Sequence, residues 1–92
     1  MRVISKKRLR DFWETLPAAK TSLEQWHKVV SAANWLHFTQ LIKTFNHADV
    51  ATTNKGHPVV IFDGGGNKYR IIAALRYARN ICYVLRVLTH KQ

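Results

Sequence analysis

Residues 64–90 read GGGNKYRIIAALRYARNICYVLRVLTH, a long β-hairpin with basic residues spaced along it. Gly64-Gly-Gly66 marks a turn, and two long runs rich in β-branched and aromatic residues follow it. A tight turn at Ala78–Asn80 joins them into a hairpin. Side chains alternate across a strand, so the pairing register decides which set meets a core. Pairing Arg76 with Asn80 puts Tyr69, Ile71, Ala73, Leu75, Ile81, Tyr83, Leu85 and Val87 on one face. The other face then carries Lys68, Arg70, Ile72, Ala74, Arg76, Cys82, Val84, Arg86, Leu88 and His90. Only this parity makes one face wholly apolar and gathers the basic groups on the other. It also sets Arg70 directly opposite Arg86, a destabilising like-charge pair. An anion between them, such as a polyphosphate, would offset the repulsion.

Working back from the hairpin, Val59–Phe62 is a further β-rich run and Asp49–Thr53 an edge strand, with Asn54-Lys-Gly56 turning between them. Upstream the period changes to that of helices. Phe38, Leu41, Ile42 and Phe45 form one stripe, and Leu23, Trp26, Val30 and Ala33 form another. Leu9, Phe12, Trp13 and Leu16 form a third. Ser22-Leu-Glu-Gln25 has the form of a capping box opening the middle helix. Ser5 is placed to cap the first helix, and Pro17 stops it. Lys7–Asp11 and Arg10–Glu14 are i,i+4 pairs on its outer side. Arg2–Ile4 reads as a short strand. Helices first and strands later predict one α+β domain over residues 1–92. It would be a small, antiparallel-rich sheet with the N-terminal helices packed on its apolar face. The three tryptophans are expected in its core.

Net charge is +10, from 15 Lys/Arg against 5 Asp/Glu. An excess of that size speaks to partners, with nucleic acid first and acidic protein or anionic membrane after it. Arg2, Lys6, Lys7, Arg8 and Arg10 crowd the first ten residues without an acid. The last four of these either form a solvated helix face or contact RNA. A hydrophobic fraction of 47% excludes a disordered chain. Cys82 is single, so no internal disulfide framework is expected. The opening MRVISKKRLRDFW has charges without an apolar stretch behind them, unlike a secretory signal. Apolar runs such as Ile71–Leu75 are far too short to span a bilayer. A cytoplasmic protein with no membrane association is expected.

No spacing of His, Cys, Asp or Glu matches a metal site, and no cofactor motif is present. Gly64-Gly-Gly66-Asn67-Lys68 lacks the Lys-Ser/Thr ending of a phosphate loop and runs into a strand rather than a helix. Paired carboxylates and Ser-His-Asp or Cys-His sets are also missing. What remains is Lys68, Arg70, Arg76, Arg86 and His90 on one face. Such groups suit metal-free phosphodiester cleavage, in which a 2′-hydroxyl attacks the adjacent phosphorus. Guanidinium forks match phosphate oxygens, and a histidine serves as acid or base near neutrality. The same residues equally suit a phosphate-binding surface without catalysis.

Several segments together resemble the HigB-like toxins of the RelE superfamily, from bacterial toxin–antitoxin systems. They are MRVISKKRLRDFWE, Trp35…Phe38…Phe45…Ala48-Asp49-Val50, Phe62-Asp63-Gly-Gly-Gly66-Asn67-Lys68-Tyr69-Arg70 and Val87-Leu88-Thr89-His90. The resemblance covers nearly the whole chain. It implies an endoribonuclease that cuts mRNA in the ribosomal A site, and a RelE-like sheet that binds RNA on the face its helices leave open. It implies catalytic roles for Lys68, Arg70, Arg86 and His90, with Asn67 shaping the turn beside them. It also implies a cognate antitoxin carrying a helix–turn–helix DNA-binding domain. Relatives commonly continue past Thr-His with a tyrosine and a short tail; these 92 residues run to Gln92. The competing readings are a non-catalytic RNA-binding or ribosome-associated module and a DNA-binding regulator. The last lacks a free recognition helix.

Overall fold

The computed structural model describes residues 1–66 and 68–89. Strand β1 (Arg2–Ile4) leads into helix α1 (Lys6–Thr15). A 3₁₀ turn at Pro17–Ala19 connects it to α2 (Lys20–Ala32), and α3 (Phe38–Thr44) follows. Then come β2 (Asp49–Thr52), β3 (Pro58–Gly64), β4 (Tyr69–Arg76) and β5 (Ile81–Thr89). The five strands form one sheet in the order β1-β5-β4-β3-β2. All neighbours are antiparallel except β1 and β5, which run parallel. The architecture is the α+β arrangement expected, with an N-terminal helical layer against the sheet.

The three helical stripes build that layer. Leu9 of α1, Leu23, Trp26 and Val30 of α2, and Leu41 of α3 are buried. They meet Val60, Phe62, Tyr69, Ile71, Ala73, Leu75, Cys82 and Val84 from the inner sheet face. Phe62 is the hub. The Trp26 ring stands edge-on to it at 5.3 Å and the Phe45 ring at 5.0 Å, the T-shaped geometry that aromatic quadrupoles favour. Trp26 and Trp35 are buried, and Trp13 packs partly exposed against the same cluster.

The helix starts differ from expectation. Ser5 sits at the N-cap of α1 in the left-handed region, φ 70° and ψ 40°, and its side chain makes no cap hydrogen bond. The helix starts without that aid, held by the buried side of its stripe. The capping-box residue Ser22 lies inside α2, because the 3₁₀ turn at Pro17–Ala19 carries the chain into a helix that already begins at Lys20. Lys7 Nζ lies 3.0 Å from Asp11 Oδ2, whereas among the described residues Arg10 and Glu14 form no such pair. The Met1 ammonium donates to the carbonyls of Val30 (3.0 Å), Ser31 (3.2 Å) and Ala33 at the C-terminal end of α2. A cation there complements the helix dipole, and at Val30 it shares the carbonyl with the Ala33 N–H, 3.1 Å away.

The hairpin register also departs from the alternation reading. The loop is the 3₁₀ turn Tyr77–Arg79 closed by Asn80 in the left-handed region, φ 58° and ψ 44°. Arg76 therefore pairs with Ile81 rather than with Asn80. That one-residue shift turns Cys82 and Val84 inward, where both are buried, and turns Ile81 and Tyr83 outward. A β-bulge then breaks the ladder. Ala73 pairs with Val84 and Ile72 with Arg86, so Leu85 has no partner on β4 and is exposed. The extra residue restores the parity beyond it. Arg86 returns to the outer face, but opposite Ile72; Arg70 is opposite Leu88.

Candidate nucleic-acid interface

The helices cover one side of the sheet, and the other side carries the charged groups. Register places Asp49 and Ile61 in one row with Ile72 and Arg86, and Asp63 in the next row with Arg70 and Leu88. Arg70 and Arg86 are thus diagonal cross-strand neighbours on one face, a relation that normally separates Cα atoms by about 7–8 Å. Two guanidinium forks at that spacing reach one phosphate without the full repulsion of a direct pair. Arg86 is exposed and Arg70 partly buried.

Lys68 stands just before β4, exposed, in the turn that leaves β3. Its backbone N–H donates to Gly64 O at 3.1 Å. The turn is fixed by Gly65, at φ 59°, where a Cβ would come within 2.9 Å of Ser22 Oγ and 3.0 Å of the Tyr69 ring. Helix α2 thus presses on the glycine turn, and the turn delivers Lys68 to the end of the sheet that holds Arg70. The expected site residues Asn67 and His90 lie outside the described residues.

Arg76 is not brought to that site. It lies at the opposite end of β4, six residues from Arg70 and about 20 Å away along an extended strand. Its row is completed by Ile81 and by Arg2 of β1. Lys6, Lys7, Arg8 and Arg10 are all exposed on α1. Arg8 and Arg86 share a groove between α1 and the second half of β5, lined also by Asp11, Phe12 and Leu85 through Leu88. The charge is therefore divided across the outer face. Asp49 and Asp63 occupy the β2–β3 side, and Arg2, Arg70, Arg76 and Arg86 the β4–β5–β1 side. An anionic strand is drawn to the second half.

Two outer-face residues escaped the sequence reading. Arg2 was legible only as part of a basic N-terminus, since nothing local says that β1 adds beside β5. Alternation about an Arg76–Asn80 pair points Tyr83 inward, whereas the observed register, with Tyr83 opposite Ala74, turns it outward. Asn80 is the signal that would have corrected that pairing, because asparagine tolerates the left-handed region that closes a four-residue loop. Among the described residues no three His, Cys, Asp or Glu side chains gather as a metal site would require. No helix among them is long and apolar enough to cross a membrane. The Cys82 thiol, buried on the inner face, is pushed up to about 12 by desolvation and takes no part in this surface.

Comparison with known proteins converges on one group. A family model for HigB toxins, described as the RelE-like toxic component of a toxin–antitoxin system, matches residues 19–92. A protein of Escherichia coli (strain K12) named mRNA interferase toxin HigB is 28% identical over all 92 residues, which span 86% of its own length. Proteins named mRNA interferase HigB from Escherichia coli O157:H7 and Shigella flexneri match to the same extent.

Proposed function

This chain belongs to the HigB toxins, the RelE-like toxic components of toxin–antitoxin systems, and from that membership we propose that it is an endoribonuclease that cuts mRNA. The observation that carries the proposal is the diagonal Arg70–Arg86 pair on the sheet face left open by the helices, in a chain whose relatives are named mRNA interferases. The reaction is attack of a ribose 2′-oxygen on the neighbouring phosphorus, with the 5′-oxygen leaving. Negative charge grows on the phosphate as it becomes pentacoordinate. Arg70 and Arg86 hold the non-bridging oxygens at that stage, where the gain is largest. Lys68 supports the 2′-oxygen as its proton passes to solvent water. His90, two residues beyond Arg70's partner Leu88 in the chain, protonates the leaving oxygen, and Asn67 binds the RNA next to Lys68. This chemistry runs on the chain's own cations and takes no metal or cofactor.

The whole of residues 1–92 acts as one toxin domain in the cytoplasm, on the ribosome. Lys6, Lys7, Arg8 and Arg10 dock it on ribosomal RNA, and Arg76 binds the RNA strand away from the reacting phosphate. The antitoxin is acidic where it meets the chain, since opposite potentials speed association with a protein of net charge +10, and carries its own helix–turn–helix DNA-binding domain. Inducing the chain in cells and mapping mRNA 5′ ends tests the reading. New, recurrent 5′ ends within coding regions, suppressed by the neighbouring antitoxin gene, are expected. Growth arrest without new ends would identify an RNA-binding module instead.

A further inference from the structure

Of the ten aromatic residues in the chain, nine belong to the core cluster or pack against it. The tenth is Tyr83. It lies on the outer face of β5, opposite Ala74 of β4 and Ile4 of β1. Its ring pairs with no other ring, and its hydroxyl bonds to no group, among the described residues. The Ala74 methyl beside it leaves space above the sheet. Toward one end of the hairpin, beyond the bulge, come Arg86 and then the Arg70 row. Toward the other, Arg2 and Arg76 flank Ile81, and all three of Arg2, Arg76 and Arg86 are exposed. The acids of this face, Asp49 and Asp63, are both on the β2–β3 side.

We propose that Tyr83 is a base-stacking platform and that Arg2 and Arg76 form a second phosphate contact, so that single-stranded RNA lies along the β4–β5 hairpin. The inference rests on the RNA-cleaving reading and adds to it a track leading from the reacting phosphate toward the turn at Tyr77–Asn80. An outward aromatic between two basic stations is the combination that holds single strands. The ring takes any base by its face, and the guanidinium groups take the backbone. Phosphate contacts alone would bind duplex and single strand alike, whereas a stacked base must be unpaired. The like-charged ends, about 20 Å apart along β4, also hold the strand extended across the site. That fixes the geometry of the phosphate between Arg70 and Arg86.

The test is the affinity of purified, folded chain for a short single-stranded 2′-O-methyl RNA, measured across salt concentrations. This probe has no free 2′-hydroxyl and cannot be cut. Tyr83→Phe should bind within about twofold of wild type, because the ring remains. Tyr83→Leu, which keeps apolar area without the π face, should lose roughly tenfold with the salt slope unchanged. Arg2→Gln with Arg76→Gln should lower the slope of log affinity against log salt by about 0.7 per residue. Wild-type affinity in Tyr83→Leu, an unchanged slope in the double variant, or no binding of the probe by wild type would each overturn the track. Loss of cleavage in Arg70→Ala and Arg86→Ala beside any of these results would leave the nuclease reading standing without it. If wild type cuts no mRNA at all, the nuclease reading falls and the track falls with it.

Discussion

Arg86 stands opposite Ile72, one diagonal step from Arg70, because Leu85 bulges out of the ladder between β4 and β5. A direct Arg–Arg pair would store repulsion that either alanine substitution releases. The diagonal pair stores little, and exposed Arg86 holds no part of the core. Arg86→Ala should therefore change stability by no more than about 0.5 kcal/mol. Urea unfolding of the two proteins checks this, and a gain well beyond that value would indicate the directly opposed register.

The β3–β4 turn is a sharper point of vulnerability. At Gly65 an added Cβ meets both the left-handed backbone and the Ser22–Tyr69 cradle; at Gly66, φ 62°, it meets open space. Gly65→Ala should cost about 2–3 kcal/mol and Gly66→Ala about 1 kcal/mol. Chemical unfolding of both variants measures the difference. Equal costs would mean that α2 does not press on the turn.

Burial of Cys82 fixes its reactivity. The thiol ionises at about 12 in the folded chain against an ordinary 9.0, so at pH 8 the folded protein holds about 10³-fold less thiolate than an unfolded one. Alkylation should be negligible until denaturant is added. The unfolded thiol ionises first as pH rises, so this residue's contribution to stability is full below 9 and declines above it. Rapid labelling of native protein at pH 8 would place Cys82 on the outer face after all.

His27 of α2 supplies a switch of opposite sense. Its imidazole is held below the ordinary 6.5, first by burial and then by the Lys6 ammonium. On acidification the unfolded chain takes up this proton before the folded one does. Its stabilising contribution is full above 6.5 and is lost as pH falls through the lower, folded value. Urea midpoints from pH 8 to 5 should fall more steeply in wild type than in His27→Gln. Parallel slopes would contradict the assignment.

The helices were legible because each carries a stripe at i, i+3, i+4 that buries against one sheet face. The strands were legible from their β-branched runs and flanking glycines. The register was not. Ile81 through Leu85 are five apolar residues in succession, so alternation offers no parity there, and an inserted residue leaves no trace in such a run. Arg70 and Arg86 shared a face under either reading because the loop shift and the bulge cancel. Tyr83 and Cys82 lie between those two events and exchanged faces. Arg76 faces outward under either reading, and its six-residue spacing from Arg70 along one strand already separates the two by about 20 Å.

On the proposed mechanism, Arg70 and Arg86 act on the phosphate as it reacts rather than merely holding RNA. The direct measurement is single-turnover cleavage beside binding affinity, on ribosomes carrying a short mRNA, for wild type, Arg70→Ala and Arg86→Ala. Cleavage should fall by roughly 10²-fold or more in each variant, while affinity falls by less than about tenfold. Equal losses in cleavage and binding, or cleavage at the wild-type rate, would contradict it.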